Sequence, residues 1–149
     1  MNIRLASDQD LSIILELLKD LYIELGEEAD SIEFLSENLL KEIFQNGQTQ
    51  ILLAFKNEKA IGILTLTETQ AIYAGGYYGI IDEMFVIDEY RNTNIGKQLI
   101  DEACKIGKQK CWKRIAVTAP EANNERAVNF YEKNAFEFAG PKLKRNITQ

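Results

Sequence analysis

Residues 77–100 read YYGIIDEMFVIDEYRNTNIGKQLI and contain the features that decide the fold. The first eleven residues are apolar apart from two acids, which is typical of a strand in the centre of a sheet. A polar turn follows, and from Ile95 onward apolar side chains recur three and four residues apart, as they do on one face of a helix. The segment therefore predicts a buried strand, a turn and a helix in direct succession.

The turn between this strand and this helix has the composition of an anion site. The first N–H groups of a helix have no partners within it, and they lie at the positive end of the helix dipole. Arg91 and Lys97 would add positive charge, and Gly96 has no Cβ, so a ligand can approach its backbone closely. We expect a phosphate or diphosphate here, although the turn alone would also suit an ordinary capped helix.

Apolar periodicity and turn residues predict the remaining elements. Helices are expected at 11–25, 30–47 and 123–134, the first behind the N-cap candidates Ser7 and Asp8. Strands are expected at 3–5, 50–55, 60–69, 114–119, 136–138 and 142–147. Because a hairpin and crossover helices occur in the same chain, we expect an α/β fold with a mixed sheet.

Composition narrows the class of protein further. The chain has 149 residues, of which 46% are hydrophobic, so we expect one domain over 1–149 with a core of its own. The net charge of -6 disfavours nucleic acid and anionic membranes as partners. Cys104 and Cys111 do not form a CxxC pair, and Asp8 and Asp10 precede any apolar run. We therefore expect free thiols, no signal peptide and a cytoplasmic location.

The chain contains no histidine, which limits its chemistry. A Ser–His or Cys–His nucleophile pair and a histidine-ligated metal are both excluded, and we expect no metal site. A general base must therefore be a carboxylate, a tyrosine, a lysine or water.

Two spaced motifs resemble the signature segments of the GNAT acyl-CoA N-acetyltransferases. The first, V-x-x-x-x-R-x-x-x-x-G, runs from Val86 to Gly96, and the second, N-E-R-A-V-N-F-Y-E-K-N-A-F, runs from Asn124 to Phe136. Asn94 stands where the family has its first glycine. Asparagine tolerates a left-handed backbone, so the turn can persist. In the second motif Ala135 replaces a usual glycine at the end of the helix.

The resemblance implies the fold and the co-substrate. A GNAT fold has a mixed central sheet of six to seven strands, flanked by about four helices, with central parallel strands that splay apart. The co-substrate of this family is acetyl-CoA, and dimers are common, so a homodimer is an expectation too. The residues that match the family's cofactor-binding positions are Met84, Phe85, Val86, Arg91, Asn92, Thr93, Asn94, Ile95, Gly96, Lys97, Asn124 and Tyr131.

The resemblance also assigns catalytic roles. An amine attacks the thioester and the CoA thiolate leaves, so one group must accept a proton and another must donate one. Tyr131 matches the family's general acid. Asp82 and Glu83 are the candidate base or ammonium anchor, and strand alternation predicts that they point to opposite faces. The resemblance favours Asp82, with Glu83 as the alternative and a β-bulge able to reverse the choice. A purely structural pairing of either acid is equally expected.

These observations predict an acetyl-CoA-dependent N-acetyltransferase that transfers the acetyl group directly to a primary amine of a small molecule, polyamine or amino-acid-like. The alternatives are a protein or peptide N-acetyltransferase and a non-catalytic CoA-binding regulatory module. The expected partners are acetyl-CoA and the amine. Glu24, Glu27 and Glu28 at the end of the first helix could attract a cationic acceptor, although a solvated helix end is the simpler explanation.

Overall fold

A computed structural model describes residues 1–118, 124–140 and 142–147 of the chain. The chain divides into two compact units, Met1–Ala116 and Val117–Gln149. Strands and helices follow in the order β1 Asn2–Leu5, α1 Leu11–Glu24, α2 Glu37–Asn46, β2 Thr49–Lys56, β3 Lys59–Ala71, β4 Gly76–Val86, α3 Ile95–Gln109, β5 Ile115–Val117 and α4 Glu125–Lys133.

The five strands form one sheet in the order β1-β2-β3-β4-β5. The first three pairs are antiparallel. At the start of β4, the Gly79 N–H donates to the Arg114 carbonyl at 3.1 Å, and the Lys113 N–H donates to the Tyr77 carbonyl at 3.2 Å. Because the paired residue numbers rise together, β5 runs parallel to β4, with α3 as the crossover helix. The predicted α/β fold with a mixed sheet is confirmed.

Helices cover both faces of the sheet in the first unit. On one face, α1 and α2 pack against a core cluster made of Leu11, Ile14, Leu17, Leu18, Leu21, Leu40, Ile51, Leu53, Ile63 and Phe85. On the other face, α3 buries Leu99, Ile100 and Ala103. A Cβ added to Gly62 of β3 would lie 3.4 Å from Leu99 Cδ1, which shows how closely α3 approaches the sheet.

The second helix begins later than the sequence predicted. Residues 29–32 form a single 3-10 turn, and α2 starts at Glu37 rather than near Asp30. The reason is the cap: the Ser36 side chain accepts the Leu39 N–H at 3.2 Å, and Asp30 makes no such bond in the described structure. The predicted end of the helix is confirmed, since Gly47 is left-handed with φ 77°.

The strand count is lower than the six to seven predicted. In the part of the chain that the structure describes there are five strands, and residues 136–138 and 142–147 are not among them. Strands need a buried face as well as a partner, and these segments have no buried apolar face. Phe138 is 75% exposed, Leu143 90% and Ile147 89%.

Candidate active site

A β-bulge in β4 sets the direction of two neighbouring carboxylates. Glu83 pairs with Thr65 and Ile81 pairs with Leu66, so Asp82 between them has no partner of its own in β3. Asp82 accepts a hydrogen bond from Thr67 at 2.6 Å, and Glu83 accepts one from Thr65. Thr65 and Thr67 lie two residues apart and therefore on one face of β3. The expectation that the two acids point to opposite faces is wrong, because the extra residue breaks the alternation.

Glu83 is the more enclosed of the two acids. Its Oε1 accepts the Tyr22 hydroxyl of α1 at 3.1 Å, and its N–H donates to Thr65 Oγ1 at 2.9 Å. Burial raises the pKa of the Glu83 carboxyl, and the charge of Asp82 adds to the rise, while the bonds from Thr65 and Tyr22 oppose it. A half-buried carboxylate with a raised pKa is well suited to accept a proton.

Asp82 has a more open position on the same face of the sheet. Its side chain is exposed and is bonded to Thr67, whose hydroxyl also lies 3.0 Å from that of Thr49 in β2. An exposed carboxylate beside a partly buried one can hold a cationic group without itself accepting its proton. The structure therefore gives the two acids different environments.

The turn before α3 contains two left-handed residues and the unpaired first amides of a helix. Asn92 and Asn94 are both left-handed, with φ 62° and 67°. Asn94 is the N-cap of α3, and its side chain makes no capping bond. The first-turn amides of Ile95, Gly96 and Lys97 therefore have neither an intrahelical partner nor a cap from this side chain. Consecutive amides around a left-handed residue form an anion-binding concavity, and asparagine supports that shape here without a glycine.

The two cationic side chains of the turn are held by carboxylates. Arg91 donates to both oxygens of Glu24 at 2.7 Å each and to Asp88 at 3.2 Å. Lys97 forms an exposed ion pair with Asp101 at 2.8 Å. Both cations are already paired with carboxylates of the protein, so the main chain is the better candidate for binding a further anion.

The end of β4 turns part of its backbone toward the edge opposite β3. The Ile87 N–H donates to the Ile61 carbonyl at 2.9 Å. In an antiparallel pair every second residue bonds to the same neighbouring strand, so Phe85, two residues before Ile87, also directs its backbone groups to β3. Met84 and Val86 therefore direct their backbone groups to the other edge. Phe85 does not, and its side chain is buried in the core. Of the three residues assigned to the cofactor, Met84 and Val86 have the suitable orientation.

The second unit contains the remaining candidates, Tyr131 and Asn124. Asn124 caps α4 by accepting the Ala127 N–H at 3.2 Å. Tyr131 packs edge-on against Phe130 and Phe136, with ring centres 5.3 and 5.5 Å away. Burial raises the pKa of the Tyr131 phenol to about 12, so the hydroxyl stays protonated at neutral pH.

Sequence reasoning did not identify Tyr22, Thr49, Thr65 and Thr67, which surround the two acids. Tyr22 lies on the apolar helix α1, where an aromatic residue is usually a packing residue. The threonines favour strands and drew no attention for that reason. A signal was nevertheless present, since Thr65 and Thr67 place hydroxyls at alternate positions of an otherwise apolar strand.

Comparison with known proteins identifies the family of the chain. The model of the acetyltransferase (GNAT) family matches residues 11–136 of the chain. The chain belongs to the GNAT family of acetyltransferases. It is therefore an N-acetyltransferase of the kind that the two sequence motifs resemble, and members of this family use acetyl-CoA as the acetyl donor.

Similar proteins differ in the acceptor that their names specify. An uncharacterized N-acetyltransferase of Bacillus subtilis (strain 168), YhfO, is 28% identical over 137 residues, which cover 92% of this chain and 90% of that protein. An aminoglycoside acetyltransferase from an uncultured soil metagenomic sample has a similar fold, with a TM-score of 0.85, 18% identity and coverage of 99% and 96%. A ribosomal-protein-alanine N-acetyltransferase from Brucella melitensis biovar Abortus 2308 has a TM-score of 0.78, 18% identity and coverage of 99% and 100%. These structures establish the fold of the GNAT protein and leave its acceptor open.

None of the helices in the described part of this GNAT chain combines the length and apolarity needed to cross a bilayer.

Proposed function

We propose that the protein transfers the acetyl group of acetyl-CoA directly to a primary amine of a small cationic molecule, polyamine or amino-acid-like. The observation that carries this proposal is the bulge in β4, which places Asp82 and Glu83 on one face of the sheet. Two adjacent carboxylates of different burial suit an acceptor that arrives positively charged and must lose a proton before it can react.

Glu83 is the proposed proton acceptor and Asp82 the ammonium anchor. An alkylammonium has a pKa of about 10, so the amine reaches the site mainly in its charged form. The raised pKa of Glu83 brings its basicity closer to that of the amine, whereas the exposed Asp82 is placed to attract the cation. This assignment reverses the preference for Asp82 that the resemblance gave, and the bulge is the reason.

The main chain of the turn is proposed to bind the diphosphate of acetyl-CoA. The donors are the amides from Asn92 to Lys97, where the left-handed Asn92 and Asn94 and the first turn of α3 direct N–H groups to solvent. Met84 and Val86 would bind the pantetheine amides through their backbone. Asn124 would add a bond to the same arm.

The chemical step balances with these groups. The neutral amine nitrogen forms a bond to the thioester carbonyl carbon, the carbon–sulfur bond breaks, and Glu83 keeps the proton that the ammonium lost. The thiolate takes a proton from Tyr131, whose phenol is protonated at neutral pH. The second proton that the attacking nitrogen must lose restores the phenol, and Glu83 releases its proton to solvent. No covalent acetyl-enzyme is required.

We further propose that residues 1–149 act as one domain, since the family match crosses both compact units. The two cysteines are free thiols, which is consistent with a reducing, cytoplasmic compartment. A homodimer is proposed from the family resemblance.

The direct test is release of free CoA thiol from acetyl-CoA in the presence of a panel of diamines, polyamines, amino acids and peptides. We expect turnover with cationic small amines, and a loss of about 10²- to 10⁴-fold in Glu83→Gln, the usual contribution of a general base. Asp82→Asn should mainly raise the KM of the amine. Turnover of peptides alone would identify a protein acetyltransferase, and CoA binding without turnover of any amine would identify a regulatory module.

A further inference from the structure

Arg91 joins three segments of the first unit through its side chain. Its terminal nitrogens donate to the two carboxylate oxygens of Glu24, and its Nε donates to the Val86 carbonyl at 2.9 Å. Only 18% of the Arg91 side chain is exposed. The guanidinium thus connects the last residue of α1, the last residue of β4 and the turn that leads into α3.

These contacts leave the guanidinium poorly suited to bind a phosphate. The carboxylates of Glu24 and Asp88 offset its single positive charge, at 2.7 and 3.2 Å. The ring of Phe85 lies under it, with the guanidinium carbon 5.5 Å from the ring centre. A diphosphate that used Arg91 would have to replace a two-bond, partly buried ion pair.

The same turn of α1 also contacts the proposed proton acceptor. Tyr22, two residues before Glu24, donates its hydroxyl to Glu83 at 3.1 Å. The end of α1 is therefore bonded to the acceptor side of the site through Tyr22 and to the cofactor turn through Glu24 and Arg91.

We propose that Arg91 is a positioning residue which, held by Glu24, fixes the cofactor turn against the end of α1, and that it is not a ligand of the diphosphate. This inference rests on the proposed function, in which the main chain of residues 92–97 binds acetyl-CoA. Glu24 thus supports cofactor binding through Arg91, although its carboxylate is negatively charged like the diphosphate.

The ligand role and the positioning role of Arg91 predict opposite changes in CoA affinity when the charge of Glu24 is removed. If Arg91 bound the diphosphate, Glu24→Gln would release the guanidinium and remove a nearby negative charge, so CoA would bind more tightly. If Arg91 positions the turn, the same change loosens the turn and CoA binds more weakly. We expect a loss of about fivefold, the lower end of the usual coupling between sites.

The experiment is a calorimetric titration of CoA into the wild type, Glu24→Gln and Arg91→Lys, at a temperature well below the melting of each. Glu102→Gln is the matched control, because Glu102 forms an exposed 2.7 Å ion pair with Lys105 on α3. We expect weaker binding in the first two variants, since lysine keeps the charge but cannot make the two-bond fork, and no change in the control. Tighter binding to Glu24→Gln, or unchanged binding to both variants, would overturn the inference.

A charge exchange separates positioning from mere stability. We expect Glu24→Arg with Arg91→Glu to bind CoA better than Arg91→Glu alone, because the exchanged pair restores the link. If Arg91 were a ligand of the diphosphate, an arginine placed at position 24 would not restore CoA binding. Binding by the double variant that is no better than binding by Arg91→Glu alone therefore contradicts the inference. If the wild type binds no CoA, the proposed function fails together with the inference, whereas tighter binding to Glu24→Gln removes the inference alone.

Discussion

At the scale of single residues, the bulge at Asp82 is the reason for proposing Glu83 rather than Asp82 as the base. The presence of two acids in an apolar strand is visible in the sequence, and both were predicted as candidates. Their position on the same face of the sheet was not predicted, because a bulge depends on how β4 pairs with β3. Strand alternation alone predicts opposite faces. Tyr22 was missed for a similar reason, since it lies 61 positions from Glu83 in the chain.

The hydroxyl of Tyr22 should control the pH dependence of turnover. Its hydrogen bond stabilises the charged form of Glu83 and so lowers the pKa of that carboxyl. Glu83 must be deprotonated to act, so activity falls as the pH falls through this pKa. We expect Tyr22→Phe to shift the acidic limb of the kcat profile to higher pH, as measured by thiol release across the pH range.

Thr65→Val should shift the same limb in the same direction, because Thr65 is the stronger of the two stabilising partners. Tyr73→Phe serves as the control, since the Tyr73 hydroxyl lies beside that of Tyr78, 3.2 Å away, and makes no described contact with Glu83. A limb that stays in place in both site variants would show that Glu83 is not the group that titrates.

At the scale of the elements, local signals predicted helices and strands well wherever a cap or a turn residue fixed the boundary. Gly47 ends α2 as expected, and α4, which Asn124 caps, lies in the segment predicted to be helical. The predicted start of α2 was wrong because residues 30 and 36 can both cap a helix, and it is the Ser36 side chain that accepts the Leu39 N–H. The last two predicted strands were wrong because an alternating pattern does not supply a partner strand.

The C-terminal end of α4 offers a test of backbone strain. Ala135 is left-handed with φ 69°, and the Phe136 N–H returns to the Tyr131 carbonyl at 3.0 Å, as in a helix end that usually has glycine. We expect Ala135→Gly to raise the free energy of unfolding by about 1 kcal/mol. Ala127→Gly inside the same helix should lower it by a similar amount, about 1 kcal/mol. Denaturant unfolding measures both changes in the free energy of unfolding. Two changes of the same sign would contradict the assignment of backbone strain to Ala135.

The packing of Trp112, in the connection between α3 and β5, depends on the absence of a side chain at Gly79 of β4. A Cβ at this position would lie 2.3 Å from Trp112 Cζ3, while the indole N–H is held by Glu68 at 2.6 Å. We expect Gly79→Ala to cost about 1 to 3 kcal/mol of stability, as overpacking does. It should also change the fluorescence of the single tryptophan.

Gly62→Ala is the matched control for this packing effect, because its Cβ would meet the nearest atoms at 3.4 Å. Its cost should be clearly smaller. Two results would contradict this explanation. One is a Gly79→Ala variant as stable as the wild type, and the other is a loss of stability in Gly79→Ala that persists when Trp112 is replaced by leucine.

At the scale of the whole molecule, charge and cofactor make opposite demands. The net charge of -6 favours a cationic acceptor and repels the anionic CoA. Binding of CoA must therefore depend on local donors, and we propose that the turn at 92–97 supplies them from the main chain, where no side-chain charge is needed. The motif predicted the turn between β4 and α3, and its role in binding CoA stays a prediction. The contact that underlies the proposed positioning role of Arg91 could not be predicted, because its partner Glu24 lies 67 positions away.

The most direct measurement for this account is a crystal structure of the protein with CoA. We expect the diphosphate oxygens to lie about 2.9 Å from main-chain nitrogens of residues 92–97, with the Arg91–Glu24 pair intact. A diphosphate bound anywhere else on the chain would contradict the central claim.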